Sequence, residues 1–66
     1  MKNTVKVERA KKDITQQELA DSLSVSRQTI IAIESGKFNP SVKLALKMAS
    51  FFGCSVQELF LLEDGD

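Results

Sequence analysis

Three consecutive polar side chains, Arg27, Gln28 and Thr29, are the part of this chain best suited to chemistry. Together they offer hydrogen-bond donors, acceptors and one positive charge. Arginine can bind guanine and glutamine can bind adenine in bidentate fashion, and a hydroxyl can bond to a base or a phosphate. Ser26 precedes them and is a good helix N-cap, so these groups lie at the start of a predicted helix. Such a helix suits the major groove of DNA.

The remainder of this helix can be assigned from residue types. Ile30 and Ile33 are three residues apart and predict its buried side. Gly36 is placed as the residue after the C-cap, where a left-handed conformation ends a helix. Asn39-Pro40 then breaks the chain.

Capping residues and apolar periodicity predict four further helices. Two of these helices begin with capping boxes, in which a hydroxyl and a glutamate satisfy free N–H groups reciprocally. The predicted bounds are Thr4 to Lys12, Thr15 to about Leu23, Ser41 to Phe52 with Gly53 as the stop, and a short last helix from the capping box Ser55–Glu58. The apolar residues predicted to face the core are Val5, Leu19, Ala20, Leu23, Val42, Ala45, Met48, Phe52, Val56, Leu59 and Phe60.

No segment alternates polar and apolar residues long enough to predict a conventional sheet. The two ends, Lys2–Thr4 and Phe60–Leu62, could at most pair as a two-stranded ribbon. The predicted fold class is therefore all-α. It consists of one domain, residues 1–66, with five short helices and a helix, tight turn and helix at residues 16–35.

The formal net charge of zero hides an uneven distribution. Residues 1–57 hold all nine Lys and Arg side chains and five acids, a net charge of +4, whereas residues 58–66 hold four acids and no base. A basic body of this size predicts modest non-specific affinity for DNA and a moderate dependence on salt. We expect the acidic tail, residues 63–66, to be disordered and to repel misplaced DNA.

Composition argues against several other classes of protein. The chain has no His, no cluster of residues with metal-ligand spacing and no phosphate-binding glycine loop, so we expect no enzyme, metal, cofactor or small-molecule ligand. Its single cysteine, Cys54, is predicted to be a small buried residue and cannot form an internal disulfide, which suits the cytoplasm. The apolar runs are too short to span a membrane, and the N-terminus lacks an apolar signal region.

Seven motifs occur in an order and at spacings that resemble one known family. They are Ile14–Ala20, Val25–Ile30, Ile33–Lys37, Asn39–Ser41, Leu44–Lys47, Phe52-Gly53 and Val56–Phe60. From about Val5 to Phe60 the chain resembles the lambda-repressor-like helix-turn-helix family, also called the xenobiotic-response-element family of prokaryotic regulators. The similarity is greatest to compact stand-alone members.

The resemblance implies that the second helix spans the DNA backbone and that the third enters the major groove. Base-edge contacts are implied for Arg27 and Gln28, and a thymine-methyl contact for Ala32. Phosphate contacts are implied for Gln16, Lys37 and Asn39, for which an ordinary solvated side chain is the alternative. Thr29 would contact a phosphate or a base. The complete predicted DNA-binding set is Gln16, Ser26, Arg27, Gln28, Thr29, Ile31, Ala32, Lys37 and Asn39.

Arg9 and Glu34 match a pair that forms a structural ion pair in this family. There it joins the first helix to the end of the recognition helix. Three residues depart from the family pattern. Ile31 replaces a usual polar residue and could touch a thymine methyl or only add apolar surface. Phe38 replaces a common Tyr and loses its hydroxyl, and Glu8 replaces an apolar residue of the first helix.

These observations predict a cytoplasmic transcriptional regulator that binds double-stranded DNA. We expect a repressor that binds a palindromic operator as a homodimer, because one recognition helix covers only a few base pairs. Leu59, Phe60, Leu61 and Leu62 form an unusually apolar C-terminal segment and are the predicted dimer interface. The alternative is a protein-interaction module, such as an antitoxin or an assembly adaptor, because one fold can serve several functions.

Overall fold

Five helices and a two-stranded ribbon make up the chain. A computed structural model describes all residues, Met1–Asp66. The elements are β1 (Lys2–Asn3), α1 (Val5–Lys11), α2 (Gln16–Leu23), α3 (Arg27–Glu34), α4 (Val42–Phe52), α5 (Val56–Leu59) and β2 (Phe60–Leu61). The predicted all-α architecture is confirmed, and so is the ribbon between the chain ends.

The helix boundaries follow from local hydrogen bonds. The hydroxyls of Thr15, Ser26, Ser41 and Ser55 each accept a bond from the backbone N–H three residues later. Both predicted capping boxes are formed, with Glu18 and Glu58 returning bonds to the N-cap backbone. Each of these four helices therefore begins at the residue that its N-cap predicts.

Gly36 ends α3 as predicted. Its φ of +79° lies in the left-handed region that glycine adopts at little cost. The N–H of Gly36 donates to the Ile33 carbonyl at 3.0 Å, and the N–H of Lys37 donates to the Ala32 carbonyl at 3.0 Å. This pair of bonds is a Schellman motif, which satisfies the free carbonyls of the last turn.

One side of every helix contributes to a single core. Its buried residues are Val5, Leu19, Ala20, Leu23, Ile30, Ile33, Leu44, Ala45, Met48, Phe52, Leu59 and Phe60. Val42 was predicted to belong to this set, but its side chain is 78% exposed and Leu44 is buried instead. Val42 is the first residue of α4, and helical side chains lean toward the N-terminus, so it projects beyond the packed helices.

The ribbon closes one end of the core. Asn3 pairs with Phe60 and Lys2 with Leu61 in antiparallel register. The next residue, Thr4, donates its backbone N–H to the Leu59 carbonyl at 2.9 Å. The two chain ends therefore lie side by side.

One prediction about a polar segment needs correction. The acidic tail forms a turn rather than a disordered end, since Asp66 accepts bonds from the Glu63 backbone N–H and from the Met1 amine. Glu8, one of the residues that depart from the family pattern, is half-buried on α1. Its carboxylate accepts a bond from Lys11 at 2.9 Å, and only 21% of the Glu8 side chain is exposed.

Candidate DNA-binding surface

The helix-turn-helix unit consists of α2, the residues Ser24–Ser26 and α3. Ser24 adopts a left-handed conformation with φ of 58°, which reverses the chain directly after α2. The N–H of Val25 donates to the Ala20 carbonyl at 3.0 Å and completes the turn. Ile30 and Ile33 of α3 are buried in the core with Leu19 and Leu23 of α2. This packing leaves the first turn of α3 at the protein surface.

Arg27 and Gln28 are both exposed at the start of α3. Neither side chain forms a hydrogen bond or an ion pair within the protein. Their polar groups therefore keep their full capacity to bond to a partner. As the first residues of a helix, they also have backbone N–H groups without a partner inside the helix.

Ser26 and Thr29 are hydrogen-bonded to each other. The Ser26 hydroxyl accepts a bond from the Thr29 backbone N–H at 3.2 Å, and the two hydroxyl oxygens are 3.0 Å apart. The capping role predicted for Ser26 is confirmed, and its predicted contact with DNA stays a prediction. Thr29 is half-buried beside it, and its hydroxyl shares the same hydrogen bond.

An open groove of about 460 Å³ lies between the N-termini of α2 and α3. Its lining residues are Arg9, Thr15, Gln16, Gln17 and Arg27, none of them hydrophobic. We call it the α2–α3 groove. The unpaired guanidinium of Arg27 and the positive end of a helix favour negative charge, whereas Arg9 is already paired with Glu34. A phosphate group is the anionic partner that this arrangement fits best on a DNA-binding surface.

The C-terminal end of α3 is held by a buried ionic network. Arg9 Nε donates to Glu34 Oε2 at 2.9 Å, and Arg9 Nη2 donates to Glu34 Oε1 at 3.4 Å. Arg9 Nη1 donates to the Ile14 carbonyl at 2.9 Å. Only 6% of the Glu34 side chain and 17% of the Arg9 side chain are exposed. Arg9 thus joins α1, the segment before α2 and α3.

Gln16 belongs to this network as well. Its side-chain Nε2 donates to Glu34 Oε1 at 3.1 Å. This bond uses one of the two N–H groups of Nε2, so the other can still donate to a phosphate, and the predicted phosphate contact of Gln16 stays a prediction. The backbone N–H groups of Gln16 and Gln17 are further donors at this helix start.

Asn3 contacts α3 in a way that sequence reasoning missed. Its side-chain Nδ2 donates to the Ile33 carbonyl at 2.8 Å, and its Oδ1 accepts a bond from the Val5 N–H at 3.2 Å. The only local signal was an asparagine two residues before the first helix, which is common in turns. The 30-residue separation between Asn3 and Ile33 hid the longer contact.

The other predicted contact residues lie at the surface around α3. Ile31 is 39% exposed and Ala32 is half-buried, one and two helical positions beyond the capped first turn. Lys37 and Asn39 are exposed in the loop after α3, and Lys37 has no ion-pair partner. Phe38, between them, is 50% exposed. The loop therefore adds one free cation and one free amide to this side of the molecule.

The residues that could bind a metal or act as a nucleophile lack the grouping or the pKa for it. No group of three or more His, Cys, Asp or Glu residues could hold a metal ion. Cys54 is half-buried rather than fully buried, and burial together with the nearby Glu8 and Glu58 charges raises the pKa of its thiol. A thiol with a raised pKa is a poor nucleophile. None of the helices has the length and apolar character needed to cross a membrane.

Comparisons with known proteins agree with this geometry. A helix-turn-helix family model matches residues 5–59. An uncharacterized HTH-type transcriptional regulator of Methanocaldococcus jannaschii is 54% identical over 66 residues, which cover 100% of both chains. The HTH-type transcriptional regulator YgzD of Bacillus subtilis is 42% identical over 64 residues, 97% of both chains.

A more distant relative has a named role. The cryptic phage CTXphi transcriptional repressor RstR of Vibrio cholerae is 33% identical over 51 residues, which are 77% of this chain and 46% of RstR. The family model and the relatives indicate the same family, and the exposed start of α3 fits the DNA-binding role of that family. The chain belongs to the lambda-repressor-like helix-turn-helix family of DNA-binding transcriptional regulators.

Proposed function

We propose that this protein is a transcriptional repressor that binds a palindromic operator as a homodimer. The observation that carries the proposal is the free state of Arg27 and Gln28, which are exposed at the start of α3 and unbonded within the protein. In the major groove their guanidinium and amide groups would bond to guanine and adenine, respectively. Ala32 and Ile31 follow on the same helix and would contact thymine methyl groups.

Phosphate contacts would hold α3 in register along the duplex. The α2–α3 groove offers the backbone N–H groups of Gln16 and Gln17, and the second side-chain N–H of Gln16, to one phosphate. Lys37 and Asn39 would bond to a second phosphate on the other side of the recognition helix, and Thr29 to the first. A small number of such contacts predicts a moderate salt slope.

A dimer is proposed because one protomer covers too few base pairs to select an operator. Two copies related by a twofold axis would place their recognition helices about one DNA turn apart. Leu59 and Phe60 are buried in the core of the monomer, so they cannot form the predicted interface. Leu61 and Leu62 remain, with exposed fractions of 43% and 82%, and an apolar surface of this kind favours association.

Repression is proposed over activation for a physical reason. A small protein can block transcription by occupying operator DNA alone, whereas activation needs a further contact with the transcription machinery. The named role of the relative RstR points the same way. The proposed site of action is the cytoplasm, where a chain with one unpaired thiol remains reduced.

Selection of bound duplexes from a random pool tests the proposal. We expect an enriched palindrome with half-sites about 10 base pairs apart. Titration of that duplex and of a scrambled one at two salt concentrations should give salt-sensitive binding and a clear preference for the palindrome. If no duplex binds at micromolar protein, the protein-interaction module becomes the better interpretation.

A further inference from the structure

We infer that Asn3 is a positioning residue for the recognition helix and that it links α3 to the ribbon. The inference rests on the proposed function, since it concerns how α3 is held against DNA. Asn3 is half-buried where three elements meet. Its backbone pairs with Phe60 of β2, its Oδ1 accepts from the first N–H of α1, and its Nδ2 donates to the Ile33 carbonyl of α3.

The bond from Asn3 to Ile33 is not needed to satisfy the end of α3. The Ile33 carbonyl already accepts a bond from the Gly36 N–H at 3.0 Å. A second donor at 2.8 Å occupies the other lone pair of that oxygen. The Asn3 bond is therefore a tertiary restraint on a helix end that is already capped. What it adds is a fixed distance between α3 and the N-terminal strand.

The local bond of Asn3 determines where its amide points. The bond from the Val5 N–H to Oδ1 is an Asx turn, in which an asparagine bonds to its own backbone two residues on. It restricts the side-chain torsions before the contact with α3 is made. Less conformational entropy is then lost when Nδ2 donates to Ile33.

Asn3 and Glu34 restrain different motions of α3. A helix carbonyl lies nearly parallel to the helix axis, so the Asn3 bond to Ile33 opposes sliding along the axis. The Glu34 side chain extends sideways to Arg9 and Gln16, so that network opposes rotation about the axis. Both restraints act on the last turn, and the first turn of α3 inherits the position that they set.

This arrangement couples the ribbon to the recognition helix. Leu61 of β2 is adjacent to Phe60, the ribbon partner of Asn3, and it belongs to the proposed dimer surface. Association of two copies at Leu61 and Leu62 would restrain β2, and through Asn3 the last turn of α3. The dimer would in this way orient its own recognition helices.

The test compares Asn3→Ser with a matched control. A serine at this position can still accept from the Val5 N–H but is too short to reach Ile33. Asn3→Asp also keeps the local acceptor and removes the donor, which provides a second variant if one folds poorly. The control is Thr4→Ala, which deletes a hydroxyl bond of 3.2 Å from the neighbouring residue to the Glu58 carbonyl without touching α3.

The first readout is the ratio of affinities for the selected palindrome and for a scrambled duplex. A misplaced recognition helix loses base contacts while phosphate contacts persist, so we expect this ratio to fall about tenfold in both Asn3 variants. It should be unchanged in Thr4→Ala. An equal loss on both duplexes would mean that Asn3 only stabilises the fold and would overturn the inference. An unchanged ratio would also overturn it.

The second readout needs no DNA. Amide hydrogen exchange should become about tenfold faster at Gly36 and Lys37 in Asn3→Ser, because the last turn of α3 opens more often. The Cys54 amide, which donates to the Ala49 carbonyl at the end of α4, should not change. If the unaltered protein binds no duplex, the proposed function fails, and unchanged exchange at Gly36 would still overturn the role of Asn3 separately.

Discussion

The two ends of α3 differ in how their polar groups are used. At the first turn, Arg27 and Gln28 have no bond within the protein and extend into solvent. At the last turn, Glu34 bonds to Arg9 and Gln16, and the Ile33 carbonyl bonds to Asn3. Uncommitted groups can bind DNA without first breaking a protein contact. Committed groups give the helix a fixed orientation from which that binding can be selective.

The largest effect on DNA affinity is expected from removing the two unbonded side chains at the first turn of α3. We predict that Arg27→Ala with Gln28→Ala weakens binding to the selected palindrome by about 4 kcal/mol, close to a thousandfold, because two bidentate base contacts are lost. Fluorescence anisotropy on labelled duplexes measures this change. The melting temperature should stay within a few degrees, since neither side chain forms a hydrogen bond or an ion pair within the protein.

A matched double variant tests whether the loss is specific to that end. Lys43→Ala with Gln57→Ala removes the same kinds of group, one cation and one amide, from exposed positions on α4 and α5. It should leave the preference for the palindrome intact. Equal losses from both double variants would contradict the contrast between the two ends of α3.

The last turn of α3, where Glu34 is bonded to Arg9, should matter most for the stability of the fold. We predict that Glu34→Ala lowers the free energy of unfolding by about 3 kcal/mol, because the Arg9 guanidinium is left largely buried without its partner. For a domain of this size, the melting temperature should fall by roughly 12 °C or more. Thermal denaturation followed by circular dichroism measures it, and an unchanged melting temperature would contradict the prediction.

A double-mutant cycle sharpens the same point. Arg9→Ala with Glu34→Ala should be less destabilised than the sum of the two single variants, because the double variant leaves no unpaired charge. The cycle isolates the coupling between these two side chains. Additive effects would indicate that each residue acts through other contacts, such as Gln16 or the Ile14 carbonyl.

A smaller effect is expected at the proposed dimer surface. Leu62→Asp should weaken self-association by about 2 kcal/mol, the amount gained when a leucine side chain is buried. Sedimentation equilibrium over a range of protein concentrations measures it. Leu46→Asp is the control, because Leu46 is 57% exposed on α4, away from the ribbon. A monomer at tens of micromolar for the unaltered protein would refute the dimer.

The smallest predicted effect concerns pH. Two bonds from Ser55, chiefly its backbone N–H, lower the pKa of Glu58 below its ordinary value of 4.5. A lowered pKa in the folded state stabilises the fold at pH values above the unfolded pKa. That contribution is lost as the pH falls below about 4.5 and through the folded pKa. Melting curves at several acidic pH values should therefore show a steeper decline for the unaltered protein than for Glu58→Gln.

Much of the fold could be predicted because its signals are local. Thr15, Ser26, Ser41 and Ser55 are each N-caps whose bonds span three residues, so four helix starts follow from residue type and spacing. Gly36 ended α3 for an equally local reason, its left-handed φ. The predicted core was wrong at Val42, because the extent of the neighbouring helices decides whether a first-turn side chain is covered.

The candidate site was only partly predictable. The exposure of Gln28 follows from its position opposite Ile30 and Ile33 on one helix, and that of Arg27 from its place at the helix start. The bond of Gln16 to Glu34 joins residues 18 apart, and nothing local distinguishes it from a phosphate contact. Likewise, residue type could not separate Leu59 and Phe60, which are buried, from Leu61 and Leu62, which are not.

By itself the sequence determined which residues start and stop the helices, which face of α3 is apolar, and the family to which the chain belongs. Only the tertiary structure decided which polar groups of α3 are already bonded and which are free. The physical reason is that caps and helical periodicity act over three or four residues, whereas Asn3 meets Ile33 and Arg9 meets Glu34 only after the helices have packed. The first turn of α3 was therefore predictable from the sequence, and the bonds that orient it were not.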